Sequence, residues 1–224
     1  MFTGLIETTG TIRALTPTDG GTRILIDAPE SLATRLRLGD SVAVSGVCLT
    51  ALDLAPTHFA ADLAQETLDR TTLSHLQPGS TVNLELPTPA GSPLGGHVVQ
   101  GHVDGVATLL AMDAIHPNRL HSTDWRMLLE LSPELARNVV SQGSITVEGI
   151  SLTVALVRPM PTGTTQIELA IIPHTWKATS LRTLKPGSPV NIETDVLARY
   201  AAQQTLGKSE ASWLTTSYLL ANGY

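Results

Sequence analysis

Apolar and polar residues alternate with period two at Ser41-Val42-Ala43-Val44-Ser45 and at Thr81-Val82-Asn83-Leu84-Glu85-Leu86. That spacing puts every second side chain on one face of a β-strand. Ile24-Leu25-Ile26 and Met127-Leu128-Leu129 are short apolar runs that read as strands facing a core. Turn residues separate them: Asp19-Gly20-Gly21, Gln77-Pro78-Gly79, Pro161-Thr162-Gly163 and Lys185-Pro186-Gly187. Two short helices are predicted with proline in the first turn, at Pro29-Glu30-Ser31-Leu32-Ala33 and Pro133-Glu134-Leu135-Ala136-Arg137. Gly39 and Gly143 follow them as candidate C-caps. About six short strands at this turn spacing predict a closed, mostly antiparallel barrel in each half of the chain. Beyond Glu193 helix formers take over in Asp195-Val196-Leu197-Ala198-Arg199-Tyr200-Ala201-Ala202-Gln203, with Gly207 as the expected stop. A second helical piece is expected over residues 209–220, with Trp213, Leu214 and Tyr218 on one face.

The pattern is written twice. Gly46-Val47-Cys48-Leu49-Thr50 returns as Gly149-Ile150-Ser151-Leu152-Thr153. Residues 65–85 return at a constant offset of 108, with 10 identities in 21 positions. A period this long is that of a duplicated domain, not of a solenoid. The proline- and glycine-rich stretch 87–96 reads as the join. The resulting division is 1–96 for an N-terminal barrel, 97–198 for a C-terminal barrel and 199–224 for a helical tail at a subunit interface.

Composition narrows the function classes. The chain has 224 residues, a net charge of −6 and 15% charged residues. An acidic chain lacks the basic face that nucleic acid requires. No apolar run approaches the ~18 residues of a membrane span, and no signal peptide is apparent. The single cysteine rules out an internal disulfide and a cysteine-based metal cluster. A cytoplasmic setting is the simplest expectation.

The two copies differ where chemistry is possible: Cys48 in one stands at Ser151 in the other. On a strand, residues two apart share a face, so Cys48 points with Thr50, and Ser151 with Thr153. A lone cysteine is most often a small buried hydrophobe; the alternative is a thiol that adds to an electrophilic carbon. His97 and His102 lie in Gly95-Gly96-His97-Val98-Val99-Gln100-Gly101-His102-Val103-Asp104-Gly105. Their spacing of five puts them on opposite faces of a strand, which makes a poor metal pair. One of them is a candidate general base, since imidazole titrates near neutrality. Asp195 reads as a helix N-cap or an acidic site residue. His116 and His121 read as loop residues. No dinucleotide fingerprint, P-loop or nucleophile elbow is present.

Met1-Phe2-Thr3-Gly4-Leu5-Ile6, the two Gly-x-Cys/Ser-Leu-Thr segments, Gly96-His97 with Gly101-His102, and Val190-Asn191-Ile192-Glu193 together resemble riboflavin synthase of the alpha-chain type, from residue 1 to about 200. The resemblance implies two six-stranded Greek-key barrels, a C-terminal helix and a homotrimer with active sites between subunits. It implies dismutation of two 6,7-dimethyl-8-ribityllumazine molecules: a four-carbon unit passes from one to the other, giving riboflavin and 5-amino-6-ribitylamino-uracil. No cofactor or metal is implied, and lumazine synthase is a further candidate partner.

Carried over by position, the first barrel would hold one lumazine through Gly4, Leu5 and Ile6, through Cys48, Leu49 and Thr50, and through Asp62, Leu63, Ala64, Gln65, Glu66 and Thr67. The second would use Gly101, His102 and Val103, then Ser151, Leu152 and Thr153, then Ile171, Ile172, Pro173, His174, Thr175 and Trp176. Cys48, His102, Ser151, Thr153 and Asp195 are the implied catalytic group. His102 is the candidate base in the second barrel; Cys48, or a water or hydroxyl beside it, is the candidate nucleophile toward the ring in the first. Gln142 stands where many relatives carry lysine, and Glu148 where aspartate is common. A non-catalytic, antenna-type lumazine- or flavin-binding protein on the same fold is the competing reading.

Overall fold

The computed structural model describes residues 1–120 and 122–210. The expected tail helix over 209–220, with Trp213, Leu214 and Tyr218, lies almost wholly outside the described residues.

The first half of the chain forms β1 (Thr8–Thr18), β2 (Gly21–Asp27), α1 (Glu30–Ala33), β3 (Ser41–Val44), β4 (Val47–Thr50), β5 (Leu52–Ala55), β6 (His58–Ala64), α2 (Gln65–Arg70) and β7 (Thr81–Glu85). The second forms β8 (Gly105–Ala114), β9 (Trp125–Leu131), α3 (Pro133–Ala136), β10 (Ser144–Val147), β11 (Ile150–Pro159), β12 (Thr165–Ile171), α4 (Pro173–Ala178) and β13 (Pro189–Thr194), followed by α5 (Val196–Glu210). All pairings are antiparallel. The second half is a closed six-stranded barrel in the order β10-β11-β12-β9-β8-β13. The first runs β4-β3-β7-β1-β2-β6-β5. Its two end strands are halves of one run of chain, joined at Ala51, and correspond to the unbroken β11. Seven strands therefore stand where six are expected. At the break, Ala51 N–H donates to the Asp40 carbonyl and the Ala51 carbonyl accepts from Gly39 N–H; Asp53, at φ 45°, lies beyond it inside β5, where the pairing with β6 shifts register.

Each barrel has its own core: Ile24, Ile26, Phe59, Val82 and Leu84 in the first, Met127, Leu129, Ile167, Leu169 and Ile192 in the second. The alternating pattern explains this, because apolar residues two apart on one strand share the inward face.

Several local expectations are corrected. The short helices end at Thr34 and Arg137, both right-handed, and not at Gly39 or Gly143. Gly39 serves a later turn at φ +89°. Gly207 does not stop α5, which continues to Glu210. Helices α2 and α4 were not anticipated; neither has a side-chain cap, so the usual start signal is missing. His97 and His102 do not lie on a strand but in an irregular segment.

The barrels meet about a pseudo-two-fold axis. Turn residues Ser45 and Gly46 face Glu148 and Gly149, and a Cβ at Gly46 would lie 2.7 Å from the Gly149 nitrogen. All four have positive φ, as two-residue hairpins require. Asn83 donates to the Glu148 carbonyl at 2.9 Å and accepts from Ser180 N–H at 2.7 Å. Asn191 mirrors it, donating to the Ser45 carbonyl at 2.9 Å and accepting from Thr72 N–H at 2.7 Å. Both asparagines are 1% exposed, so every one of these bonds is shielded from water.

Candidate functional site

Two irregular arms lie in the seam between the barrels, one ahead of β1 and one ahead of β8. They pair through Phe2 and Val99, whose amides and carbonyls bond reciprocally at 2.7 and 3.1 Å. Each arm is held by a carboxylate on the last strand of its own barrel. Glu85 accepts Thr3 N–H at 2.7 Å, the Thr3 hydroxyl at 2.8 Å and Gly4 N–H at 3.0 Å. Glu193 accepts the amides of Gln100, Gly101 and His102 at 2.7, 3.0 and 3.1 Å. Burial pushes both carboxyls above the usual range, and the amide donors oppose that shift.

The tip of each arm reaches the other barrel. Ser151 N–H donates to the Gly4 carbonyl at 2.8 Å, and Cys48 N–H to the Gly101 carbonyl at 2.8 Å. Ile6 packs on the second core and Val103 on the first. Every site strand is therefore completed by an arm from the opposite barrel.

Around Ser151 this builds a cavity of about 250 Å³, lined by Gly4, Leu5, Ile6, Ile150, Ser151, His174, Thr175, Ala178 and Thr179. On β11, Ile150 and Leu152 face the core, while Ser151 and Thr153 face outward. His97 Nδ1 sits 2.7 Å from Ser151 Oγ. Burial lowers the His97 pKa, and the charge of Asp195 works against that shift. A mostly neutral imidazole can exchange a proton with the serine hydroxyl or accept from it.

Around Cys48 the same plan carries different groups. Val47 and Leu49 face the core; Cys48 and Thr50 face outward. Cys48 is half-buried against Phe2, Ala43 and Val99. Gly101 approaches so closely that a Cβ there would lie 2.6 Å from Cys48 Cβ. The next residue, His102, is exposed.

The expected grouping of residues is thus crossed. Gly4, Leu5 and Ile6 join Ser151 and His174, not Cys48. Gly101, His102 and Val103 join Cys48, not Ser151. The cause is the reciprocal pairing of the arms, which a per-barrel assignment cannot contain. Leu49, Leu63, Leu152 and Ile171 point into the cores, so only their main-chain groups can face a ligand. Asp62 is exposed and held by Arg23 in a two-point contact at 2.7 and 2.8 Å, which lowers its pKa. Ala64, Gln65, Glu66 and Thr67 form the junction of β6 and α2; Ile172, Pro173 and His174 form that of β12 and α4. Trp176 stacks on Trp125 with centroids 3.9 Å apart. Gln142 is exposed at φ 63°, its amide bonded to the Val154 carbonyl at 2.8 Å. Asp195 Oδ1 accepts Leu197 N–H at 2.9 Å at the start of α5, the capping role.

Three positions went unassigned on sequence grounds. Glu85 and Glu193 are site supports whose repeated Val-Asn-x-Glu context was a usable signal. Asp104 was not singled out: it accepts from the Thr194 amide at 2.8 Å and pairs with Arg199 at 2.5 Å, tying α5 to the second arm.

A family model described as the lumazine binding domain matches residues 3–87 and again 100–195. The chain belongs to the lumazine-binding family of riboflavin synthases. It is 40% identical to riboflavin synthase of Actinobacillus pleuropneumoniae over 93% of this chain and 91% of that one. It is 42% identical to that of Mycobacterium tuberculosis strain H37Rv over 89% and 96%, and 35% identical to that of Bacillus subtilis strain 168 over the full length of both. Among solved structures, LumP complexed with riboflavin superposes with a TM-score of 0.75 at 25% identity, covering 87% of this chain and 99% of LumP.

Proposed function

We propose that this chain catalyses the riboflavin synthase reaction, the dismutation of two 6,7-dimethyl-8-ribityllumazine molecules into riboflavin and 5-amino-6-ribitylamino-uracil. The observation that carries this reading is the pair of half-sites of one architecture and unlike chemistry: Cys48 with His102 in one, Ser151 with His97 in the other. Two identical substrates that must play donor and acceptor need such a pair. The near-full-length relatives named riboflavin synthase support it.

The C7-methyl of the lumazine is acidic because its carbanion delocalises into the ring. His102 is the proposed base for that proton, and Cys48, or a water or hydroxyl beside it, the proposed nucleophile toward the partner ring. Since both residues belong to one half-site, one of them must act across onto the ring held by the other half-site. Ser151, Thr153 and Thr50 are proposed to hydrogen-bond ring heteroatoms, and Asp195 to act through its field on His97. Both half-sites are open in the single chain, which fits a homotrimer in which the Cys48 half-site of one subunit closes on the Ser151 half-site of the next. Stacking two rings there turns a bimolecular encounter into a local reaction. A cytoplasmic location is proposed with it. Association with lumazine synthase is testable by co-purification.

The test mixes purified protein with the lumazine and follows the riboflavin absorption band. Appearance of riboflavin with release of the pyrimidine supports the reading. Stoichiometric lumazine binding without riboflavin overturns it and leaves the carrier reading.

A further inference from the structure

At Glu148 the inter-barrel contact breaks its own symmetry. Its counterpart in the first barrel is Ser45, each being the first residue of a two-residue turn and each at positive φ, 51° and 45°. Glu148 is 6% exposed. Its carboxyl accepts the Asn191 amide at 2.7 Å and the Thr72 hydroxyl at 3.3 Å, and the Ser45 hydroxyl also bonds to it. Thr72 and Ser45 belong to the first barrel, Asn191 and Glu148 to the second, so a single carboxyl spans the seam. On the mirrored side the short Ser45 Oγ meets the Asn83 amide at only 3.3 Å, and the buried hydroxyl of Ser180 has no hydrogen-bond partner among the described residues. The clamp is one-sided.

We propose that Glu148 is a positioning residue for both half-sites: its carboxyl fixes the separation of the two barrels, and thereby the fit of each arm on the opposite site strand. The proposal rests on the function proposed above. The geometry gives the route. Glu148 and Gly149 lie directly ahead of Ile150 and Ser151, while Ser45 and Gly46 lie directly ahead of Val47 and Cys48. The backbones of the two turns touch, as the 2.6–2.9 Å approaches of virtual Cβ atoms at Gly46 and Gly149 demonstrate. Each half-site is built from one barrel's strand and the other barrel's arm, so any shift between barrels displaces both together. A residue confined to one barrel would disturb one half-site alone.

Burial pushes the Glu148 carboxyl up to about 7. His75 is the other ionisable side chain among the described residues lining the groove of about 410 Å³ beside it, between residues 72–76 of the first barrel and 180–184 of the second. Ser45, Thr72, Asn191 and Ser180, the remaining neighbours, do not titrate. The clamp therefore carries a neutral carboxyl below pH 7 and a buried charge above it.

The test titrates the full chain with 6,7-dimethyl-8-ribityllumazine by fluorescence at pH 6 and pH 8, resolving both classes of site, and records thermal midpoints alongside. Glu148→Ala is expected to weaken both half-sites together by about tenfold, the equivalent of losing one buried hydrogen bond. Glu148→Gln, which keeps the acceptor and cannot ionise, is expected to stay within about twofold of the parent at pH 6. It should also lose the parent's decline in thermal midpoint between pH 6 and pH 8. Ser180→Ala, which removes an unpartnered hydroxyl, should leave both affinities unchanged. A Glu148→Ala protein that is less stable yet binds at both sites normally overturns the proposal, as does one weakened at a single half-site. Should the parent fail to bind lumazine, the function proposed above fails; the midpoints then decide, and identical pH dependence in the parent and Glu148→Gln overturns the clamp.

Discussion

Gly101→Ala sets a large mechanical demand on the Cys48 half-site for a small chemical change. Gly101 has φ +78°, and an added methyl would lie 2.6 Å from Cys48 Cβ, 3.0 Å from Cys48 N and 3.1 Å from Phe2 Cε2. The first two atoms cannot retreat without breaking the 2.8 Å bond from Cys48 N–H to the Gly101 carbonyl. Gly163 is the matched control: φ is +89° and nothing lies within 4 Å of its virtual Cβ. Left-handed backbone costs a non-glycine residue about 1–2 kcal/mol. That cost, and the offsetting loss of unfolded-chain entropy, is common to both substitutions. Overpacking adds about 1–3 kcal/mol at Gly101 alone. Gly163→Ala should therefore be nearly neutral to about 2 kcal/mol destabilised, with Gly101→Ala about 1–3 kcal/mol worse. For a chain of this size each kcal/mol moves the thermal midpoint by about 2–4 °C. Urea and thermal unfolding of both variants, with riboflavin formation read in parallel, form the assay. Gly101→Ala should also lose activity, because relieving the clash shifts the Cys48 strand relative to the arm that carries His102. Equal midpoints and normal turnover in both variants would refute the claim that the arm and the Cys48 strand are in tight contact.

Other outcomes follow from the same geometry. Cys48→Ser and His102→Gln should each lower riboflavin formation, by about 10²–10⁴-fold for the base; near-normal turnover in both would leave positioning as the only mechanism. Asn83→Ala and Asn191→Ala should destabilise by similar amounts, about 2–4 kcal/mol for the buried partners each leaves unpaired, measured by urea unfolding; unequal losses would contradict the pseudo-symmetry. His97, whose folded pKa is lowered by burial, contributes stability that is present above its ordinary value and lost as pH falls through the lowered one. NMR titration of its ring should show protonation only below the usual imidazole range, and an ordinary titration would contradict its burial against Ser151. Glu85 works in the opposite sense. Its raised carboxyl contributes stability at low pH that declines as pH rises from the ordinary carboxylate value through the raised one, so Glu85→Gln should flatten the unfolding profile across that window.

The amino-acid sequence by itself determined the strand pattern of the barrels, their duplication and the unlike side chains, Cys48 and Ser151, at matching positions of the two copies. Period-two alternation is a local property, and it set which residues of β3, β7, β10 and β13 face inward. The outward pairing of Cys48 with Thr50 and of Ser151 with Thr153 follows from the same periodicity. Less local features were poorly legible: α2 and α4 carry no capping side chain, and the break between β4 and β5 falls at Ala51, whose backbone bonds go to Asp40 and Gly39. Only the tertiary structure decided how the site is assembled. The arm of each barrel crosses the seam, so Gly4 meets Ser151 and Gly101 meets Cys48, contacts separated by 147 and 53 positions in the chain. Nothing in the pattern of either copy distinguishes an arm that folds on its own barrel from one that completes the other. That choice is made by the reciprocal Phe2–Val99 bonds, the carboxylates of Glu85 and Glu193 and the close glycine contacts of the seam. These are long-range interactions that satisfy buried amides, and they exist only once both barrels have formed.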